Sequence, residues 1–316
     1  MTQQTILKLG TRRSPLALAQ AEETRARLCA LHGWDSNRIE LVPVLASGDK
    51  VTDRPLADVG GKALWTKELD EWLAQGSIHA AVHSLKDVET IRPQSLVIAA
   101  VLPRADKRDR LVFRQAQDER GLDALPHGAT VGTSAPRRAA QLLNLRPDCR
   151  VVTFRGNVAT RLGKLTAGEA DATFLAAAGL SRLGQDTVGV ALETDDWLPA
   201  PAQGAIAVEC RADDAQTREL LAVLDHAPSR AEVMAERALL AALGGGCNSP
   251  IGVVCNHVDG ALAMRAALFS PAGQERVEGA ALFAADHASG PQKLAEDLLG
   301  RATSGITALF TGPTGG

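Results

Sequence analysis

The chain has 316 residues, of which 45% are hydrophobic and 22% are charged, and its formal net charge is −3. This length exceeds that of a usual single core, so we expect two or three domains in an ordinary globular protein. No stretch approaches the roughly 18 consecutive apolar residues of a membrane helix, and the N-terminus lacks the basic-then-apolar pattern of a signal peptide. We therefore expect a cytoplasmic protein that begins near Met1 and has no membrane partner.

The composition also disfavours nucleic acid and metal as partners. Aromatic residues make up 3% of the chain, with no tyrosine. Few side chains could therefore stack on bases, and the net charge is negative. Five cysteines are scattered without a CxxC pair, so neither a disulfide framework nor a metal site is expected.

Strand-like and helical segments alternate in the first hundred residues, which predicts an α/β sheet with crossover helices. The predicted segments are strands Thr5–Leu9, Ile39–Leu45, Ile78–His83 and Leu96–Leu102, and helices from Ser14 and from Lys62. The first helix has the clearest start, because Ser14 can cap it and Pro15 suits its first position. The charged segment 103–110 then predicts a crossing into a second domain.

A second alternating series predicts another α/β domain, with a cleft between the two. Its segments are strands Leu111–Phe113, Thr130–Val131, Val151–Phe154 and Ala172–Ala176, and helices from Pro136 and from Val158. Segment 197–204 predicts the return crossing, and we expect strand Ala205–Glu209 to rejoin the first sheet.

The last third predicts a smaller α+β domain. Its segments are a helix over Ala231–Leu243, strands Ile251–Val258, Ala261–Phe269 and Arg276–Phe283, and a closing helix near Gln292–Arg301. The pair Asp259-Gly260 predicts a tight hairpin between two of these strands. The expected fold is α/β overall, with domain 1 at 1–103 and 204–225, domain 2 at 104–203, and domain 3 at 226–316.

Cys247 lies in a glycine-rich loop after the helix over Ala231–Leu243. The three glycines before it remove side-chain bulk, so a large group could approach the sulfur or be attached to it. The alternative is a helix C-terminus marked by glycine, where the cysteine has no chemical role.

Four turns place polar or basic residues where a strand leads into a helix, at 10–14, 83–87, 132–138 and 154–157. In open α/β sheets ligands bind at the carboxyl ends of strands, where helix N-termini favour anions. Arginine can grip a carboxylate with two parallel hydrogen bonds, although any single arginine could equally be a solvated surface residue. The arginines near these turns predict a ligand with several carboxylates or phosphates: Arg12, Arg137, Arg138, Arg155, Arg161 and Arg182.

Asp87 is the one carboxylate in a row of donors, directly after Lys86. It could act as a general acid or base or stabilise a cation, and the alternative is a helix N-cap. His83 ends an apolar strand and is interpreted as a structural histidine. Segment Gly60–Lys62 lacks the spacing of a phosphate loop and instead favours a glycine-hinged loop that carries Lys62 over a cleft.

Together, these motifs closely resemble the porphobilinogen deaminase (hydroxymethylbilane synthase) family in order and spacing over nearly the whole chain. The segments that carry the resemblance are TRRSPLA at 11–17, VGGK at 59–62, AVHSLKD at 81–87, GTSAPRR at 132–138, RGNVATR at 155–161 and GGC at 245–247. The resemblance implies two domains like those of periplasmic binding proteins around a cleft, and a third that carries a cysteine. In that family the cysteine, here Cys247, holds a covalent dipyrromethane cofactor through a thioether.

The resemblance implies a monomeric transferase that joins four porphobilinogen molecules head to tail onto this primer, with loss of ammonia at each step. It then hydrolyses the linear product away, and the product passes to uroporphyrinogen-III synthase. Asp87 matches the catalytic aspartate, which helps protonate the leaving amine and stabilises an azafulvenium-like cation. The matching cofactor-binding positions are Lys86, Ser84, Thr133, Ser134, Arg137, Arg138 and Gly156. The matching substrate contacts are Arg12, Ser14, Arg155, Arg161, Arg182 and Gln203, and the mobile loop carries Lys62 and Trp65.

Three positions depart from the family pattern. Ala135 stands where a second serine is usual, Trp65 where a phenylalanine is usual, and Gly244 where a glutamate often stands. None of them removes a charged catalytic group, but Ala135 puts one hydroxyl contact to the cofactor in doubt.

Three other classes of protein remain as alternatives. A binding module with the same two-domain cleft would hold a dicarboxylate or an oxyanion and would leave Cys247 unmodified. A cysteine hydrolase would need a histidine beside Cys247. A nucleic-acid-binding protein would need a continuous basic surface, which a net charge of −3 opposes.

Overall fold

A computed structural model describes residues 6–45, 66–115, 121–285 and 289–310. The chain divides into two compact units, one made of Met1–Ala105 and Gly204–Arg230, the other of Asp106–Gln203 and Ala231–Gly316. The loop residues Lys62 and Trp65 lie outside the described residues. Within the described ranges, no helix is both long enough and apolar enough to cross a membrane.

The helices and strands follow one another in three stretches of chain. Up to residue 150 they are β1 (Leu7–Arg12), α1 (Pro15–His32), β2 (Ile39–Val44), α2 (Lys67–Ala74), β3 (Ala80–Ser84), β4 (Leu96–Val101), β5 (Asp109–Phe113), β6 (Thr130–Gly132) and α3 (Pro136–Leu145). Up to residue 222 they are β7 (Arg150–Val152), α4 (Val158–Thr166), β8 (Ala172–Ala176), α5 (Ala177–Arg182), β9 (Val190–Ala191), β10 (Ile206–Arg211) and α6 (Ala215–Ala222). The remainder are α7 (Ala227–Ala242), β11 (Ile251–Val258), β12 (Ala261–Phe269), β13 (Arg276–Ala284), α8 (Ser289–Arg301) and α9 (Ser304–Thr307).

Two five-stranded sheets share one strand pattern. The first has the order β2-β1-β3-β10-β4 and the second the order β7-β6-β8-β5-β9. In each, the first three strands are parallel, and the fourth runs antiparallel to both of its neighbours. That fourth strand, β10 or β5, is the first strand of its sheet after the chain passes from one unit to the other. The α/β class and the return of the predicted strand Ala205–Glu209 to the first sheet are therefore confirmed.

The C-terminal part is a three-stranded antiparallel sheet, β11-β12-β13, as the sequence predicts. Its first hairpin turns at Asp259 and Gly260, whose φ angles are 50° and 80°. Two successive positive φ angles match the right-handed twist of the strands, which explains the preference for Asp-Gly there. Helices α7 and α8 contribute to the core of this sheet, where Leu239, Met264 and Leu298 are almost fully buried.

Helix starts agree with their local signals. The Ser14 hydroxyl accepts a hydrogen bond from Ala17 N at 3.3 Å and caps α1, with Pro15 at the first position. Helices α3 and α4 begin at Pro136 and Val158 as predicted. The helix predicted from Lys62 is described only from Lys67. Three short helices among the described residues, α5, α6 and α9, were not predicted.

Two glycines of the second unit give opposite expectations for alanine. A Cβ on Gly132 would lie 2.4 to 2.6 Å from the ring of the buried Phe154, whereas a Cβ on Gly163, inside α4, would meet nothing within 4 Å. We expect Gly132→Ala to lower the free energy of unfolding by about 1–3 kcal/mol through overpacking. Gly163→Ala is the matched control and should raise it by about 0.5–1 kcal/mol. Urea unfolding measures both, and a neutral Gly132→Ala would contradict the packing described for β6.

Candidate active site

A cavity of about 50 Å³ opens at the carboxyl ends of the parallel strands β1 and β3. Its lining is polar on most sides and consists of Arg12, Ser14, Leu16, Ala17, Gln20, Thr66, Val82, His83, Ser84, Asp87 and Val88. Four residues predicted for the site, Arg12, Ser14, Ser84 and Asp87, thus meet at one cavity. The first two lie at least 70 positions before the last two in sequence, and all four come together because neighbouring parallel strands end at the same edge of a sheet.

Asp87 is held in place by its neighbours in sequence. Strand β3 passes into a 3-10 turn over Leu85–Asp87, and no α-helix follows this turn, so the N-cap alternative has no helix to cap. Leu85 is fully buried and donates its N–H to Ala205 O at 3.0 Å, and Val88 is 4% exposed. These two apolar anchors leave Lys86 and Asp87 half-buried at the surface of the turn.

The opposite wall of the cavity belongs to the start of α1. Arg12 is the last residue of β1, and Ser14 faces the cavity as the helix cap. Gln20, one turn further into the helix, is 2% exposed and hydrogen-bonds the Ser84 hydroxyl at 2.8 Å. This bond fixes α1 against the end of β3, and residues of the first turn of the helix line the cavity.

His83 connects the cavity to a buried ionic cluster that sequence reasoning missed. Its Nε2 lies 3.2 Å from Oε2 of Glu209 on β10, and both side chains are almost fully buried. Arg92 donates to the same carboxylate through Nε at 2.9 Å and Nη2 at 3.0 Å. Burial alone would raise the pKa of Glu209, but His83 and Arg92 outweigh burial and hold it at about 2. A structural role for His83 therefore has a specific partner in this protein, the carboxylate of Glu209.

The lowered pKa of Glu209 predicts acid sensitivity. A carboxylate whose pKa falls from 4.5 unfolded to about 2 folded stabilises the protein fully above pH 4.5 and loses that contribution as the pH falls toward 2. The whole contribution is about 3 kcal/mol, of which about 2 kcal/mol should be lost between pH 5 and pH 3. The pKa of Asp70 is raised by burial, so Asp70 acts in the opposite sense.

Denaturant unfolding at pH 5, 4 and 3 measures this contribution. Glu209→Gln should remove about 2 kcal/mol of the wild-type pH dependence over that range. Glu219→Gln, an exposed glutamate of the same unit, is the matched control and should leave the dependence unchanged. An equal acid slope in wild type and Glu209→Gln would show that Glu209 is not the group responsible.

In the second unit, Arg137 and Arg138 converge on one buried carboxylate, Asp109. Arg137 Nη2 and Arg138 Nη2 donate to its two oxygens at 2.8 and 2.7 Å, and all three residues are 5% exposed or less. Trp197 Nε1 and Gln203 Nε2 complete the set at 2.8 and 2.9 Å. Burial would raise the pKa of Asp109, but the two guanidinium groups outweigh it and hold the pKa far below its usual range.

The outer hydrogen-bonding groups of these two arginines are therefore engaged inside the protein. Arg137 Nη1 donates to Leu198 O at 2.8 Å and Arg138 Nη1 to Phe174 O at 2.9 Å. Arg138 Nε is buried and has no hydrogen-bond partner among the described residues. Sequence reasoning offered two alternatives for these arginines, anion ligands or solvated surface residues, and the structure gives them a buried carboxylate as partner.

Other predicted residues lie in the turns after the parallel neighbours β6 and β7. The Thr133 hydroxyl accepts from Ala135 N at 3.2 Å, in the turn where Ala135 itself offers no side chain to cap α3. Ser134 beside it is half-buried. The start of α3 therefore has no side-chain cap, and the Thr133 hydroxyl stabilises the turn that precedes it.

The turn after β7 has a similar construction. Gly156 has a φ of +108°, and a Cβ there would lie 2.6 Å from the Thr160 side chain, so glycine is required. Asn157 caps α4 by accepting from Thr160 N at 2.9 Å, and Arg161 Nε donates to Gly156 O at 3.0 Å. Arg155 is 8% exposed. Arg182 is separated from these turns in the chain, since it ends α5 rather than following a strand directly.

Cys247 lies in a turn just beyond α7. Gly244 has a φ of +67°, and Gly245 N donates to Leu240 O at 2.9 Å, so the helix does end at glycine as the alternative interpretation proposed. A further turn follows, in which Ser249 N donates to Gly246 O at 3.0 Å and Cys247 stands between them. A Cβ on Gly246 would meet nothing within 4 Å. The helix end and the accessible thiol are therefore both present.

Exposure distinguishes Cys247 from the other thiols. All five cysteines fall within the described residues, where none of them forms a disulfide, and Cys247 is the exposed one. Burial raises the pKa of Cys29 and of Cys149, and raises that of Cys210 to about 11. A thiol must reach the thiolate form and meet its electrophile to react, so Cys247 is the best placed of the five for covalent attachment.

Asp109, Glu209 and Arg92 are the functional neighbours that sequence reasoning missed. A charged residue inside an apolar strand is a usable signal, and Glu209, fully buried within β10, carries it. Asp109 is also fully buried, but it begins β5 within the charged segment 103–110 and carries no such signal. Arg92 carries no such signal, because it stands in a polar connecting segment between β3 and β4.

Two family models match the chain in succession. Residues 7–219 match "Porphobilinogen deaminase, dipyromethane cofactor binding domain", and residues 230–300 match "Porphobilinogen deaminase, C-terminal domain". Among solved structures, a double mutant of the VFT2 domain of BvgS from Bordetella pertussis matches 69% of this chain and 84% of its own chain, at 19% identity and a TM-score of 0.40, and this distant likeness carries no argument.

Curated relatives give the stronger comparison. A porphobilinogen deaminase from Sphingopyxis alaskensis is 53% identical over 305 residues, which is 96% of each chain. One from Paracoccus denitrificans is 48% identical over 301 residues, which is 95% of each chain. With both family domains in succession and about half of its residues shared with these enzymes over nearly its whole length, the chain belongs to the porphobilinogen deaminase family.

Proposed function

We propose that the chain is a transferase that deaminates four porphobilinogen molecules, condenses them head to tail on a dipyrromethane primer bound to Cys247, and releases the product by hydrolysis. The observation that carries this proposal is the exposed thiol of Cys247, in a turn with open space beside Gly246. Family membership supports the substrate and the cofactor.

The residues present fit a dipyrromethane. Each pyrrole of such a group carries carboxylate side chains, which call for hydrogen-bond donors and positive charge. Two turns, with Thr133 and Ser134 in one and Gly156 in the other, lead into the helices α3 and α4, whose N-termini favour anions. Arg138 Nε, which has no hydrogen-bond partner among the described residues, is a further donor in the second unit. When bound, the group supplies the pyrrole carbon to which the first porphobilinogen is joined.

We assign the cofactor contacts to Lys86, Ser84, Thr133, Ser134, Arg138 and Gly156, with Arg137 supporting Arg138 through Asp109. Both Nη atoms of each arginine are hydrogen-bonded, one of them to Asp109. The two guanidinium groups are therefore held in one orientation. Fixed donors cost no reordering when a ligand arrives.

Asp87 is the proposed proton-transfer group. A half-buried carboxyl group in a small polar cavity can, in its protonated form, give its proton to the leaving amine, and the carboxylate that remains can stabilise the positive charge that develops on the substrate. Arg12 and Ser14, on the facing wall, would hold a substrate carboxylate. Arg155, Arg161 and Arg182 are proposed as contacts of the growing chain, and Gln203, which is buried against Asp109, as a support for Arg138.

The finer assignments of organisation belong to the same proposal. We propose three domains at 1–103 with 204–225, 104–203 and 226–316, a monomer in the cytoplasm, and transfer of the product to uroporphyrinogen-III synthase. Lys62 and Trp65 are proposed as members of a loop that contacts the substrate.

Intact mass spectrometry combined with a turnover assay tests the proposal. We expect the purified chain to exceed its sequence mass by the mass of two linked pyrroles, to carry this addition on the Cys247 peptide, and to release ammonia from porphobilinogen. An unmodified Cys247 in a chain that turns over would contradict the cofactor assignment. An unmodified chain that binds dicarboxylates without turnover would favour the binding-module alternative.

A further inference from the structure

Arg92 lies at a junction of the first unit and contacts three carboxylates from three different segments. Its Nη1 donates to Glu89 at 2.6 Å, and its Nη2 donates to Asp70 of α2 at 2.6 Å. Nε and Nη2 both reach Glu209 of β10, at 2.9 and 3.0 Å. The Arg92 side chain is 9% exposed. One guanidinium thus joins the segment after Asp87 to a helix and to a strand.

Two short routes lead from Arg92 to the cavity that contains Asp87. On one route, Glu209 lies 3.2 Å from His83, which lines the cavity. On the other, Glu89 accepts from the Thr66 hydroxyl at 3.0 and 3.1 Å, and Thr66, which is 1% exposed, lines the cavity as well. Glu89 is also only two residues beyond Asp87. Arg92 therefore supports two walls of the cavity and the segment next to its carboxylate.

Stability alone does not account for this arrangement. Three carboxylates around one arginine bring more negative than positive charge into a mostly buried place, and such ionic groups are often no more stabilising than apolar residues of the same size. What an arginine adds is direction, because its planar fork fixes several acceptors at set angles. The contacts around Arg92 use that fork on all three nitrogens.

We propose that Arg92 is a positioning residue for the reaction: it holds His83, Thr66 and the segment that follows Asp87 without touching the substrate. This inference rests on the proposed function, in which Asp87 handles the proton of the leaving amine. A small displacement of Asp87 then slows the chemical step more than it weakens substrate binding.

The test compares Arg92→Lys with Arg230→Lys. Arg230 makes a similar set of bonds in the same unit, to Asp225 at 2.7 and 2.8 Å and to the carbonyls of Ile98 and Ala99, and none of these residues lines the cavity. For Arg92→Lys we expect the cofactor mass to be retained, KM to stay within about twofold, and kcat to fall about 10- to 100-fold. Arg230→Lys should leave kcat and KM close to those of the wild type. Its melting temperature should fall by about as much as that of Arg92→Lys, so that a general loss of stability is controlled for.

A fall in kcat no larger than that of Arg230→Lys, or a loss confined to KM, overturns the role of Arg92. If Arg92→Lys does not fold, Glu89→Gln decides instead, since it keeps an acceptor for Thr66 and removes only the charge that faces Arg92. We expect it to lower kcat about 3- to 10-fold with KM retained, and an unchanged kcat overturns the inference. A wild-type chain that does not turn over porphobilinogen would instead contradict the proposed function, and the positioning role of Arg92 would fall with it.

Discussion

Asp87→Asn is expected to fold, to carry its cofactor and to turn over porphobilinogen about 100- to 10,000-fold more slowly than the wild type, the usual contribution of a positioned acid or base. Asparagine keeps the size and shape of aspartate but has no carboxyl proton to transfer and no negative charge to stabilise a cation. The turn itself should persist, because its anchors are the buried Leu85 and Val88 rather than the carboxylate. Steady-state kcat, intact mass and melting temperature together measure this outcome.

Asp213→Asn is the matched control for this prediction. Asp213 belongs to the same unit, its side chain is 88% exposed and its nearest cationic contact is a distant 3.7 Å. It should leave turnover unchanged. Asp87→Glu keeps the carboxylate but moves it by one methylene, so its kcat should fall between those of the wild type and Asp87→Asn. A kcat of Asp87→Asn within about threefold of the wild type would remove Asp87 from the proton chemistry.

The parts of the fold that the sequence predicted are those with local causes. Ser14 and Pro15 start α1 because capping and the fixed proline φ act within one turn of helix. Asp259 and Gly260 close a hairpin because their own φ angles decide it. The short helices α5 and α9 were not predicted, and neither has a side-chain hydrogen bond that caps its start. Helix α6 was missed although Asp214 caps it by accepting from Thr217 N. The helix predicted from Lys62 is described only from Lys67.

The pairing of the strands could not be predicted fully from local sequence, because it depends on residues that are distant along the chain. The return of β10 to the first sheet could be anticipated from the alternation of segments. Its position between β3 and β4, and its antiparallel direction, depend on contacts across more than a hundred residues. The equivalent insertion of β5 beside β8 was not anticipated. Nothing within either strand distinguishes a parallel from an antiparallel neighbour.

The candidate site likewise contains residues that local sequence identified and partners that it did not. The turns that carry Arg12, Ser84 and Asp87 were found from their place at strand ends, and the structure brings them to one cavity. The partners Asp109 for Arg137 and Glu209 for His83 were not found, since each pair is separated by 28 residues or more. The sequence thus located the edge of the sheet where the candidate cavity lies, but not the buried charged residues beside it.

Cys247→Ser is expected to abolish both the mass addition and turnover. Serine is nearly the same size, but its hydroxyl is a far weaker nucleophile than a thiolate, so the primer should not attach. The fold should survive, because Cys247 is exposed in a turn whose hydrogen bonds run between Gly246 and Ser249. The variant should melt at a lower temperature than the loaded wild type, since a bound group stabilises the folded state.

Cys29→Ser is the matched control, because Cys29 is the other cysteine that is not fully buried. Burial raises its pKa, so little thiolate forms there, and the variant should keep the full mass addition and normal turnover. A mass addition that persists in Cys247→Ser would move the anchor to another residue, and peptide mapping would identify it. Turnover that persists without any addition would show that the chain needs no bound primer, and the proposed reaction on Cys247 would have to be abandoned. The two measurements therefore separate the question of where the primer is attached from the question of whether one is required.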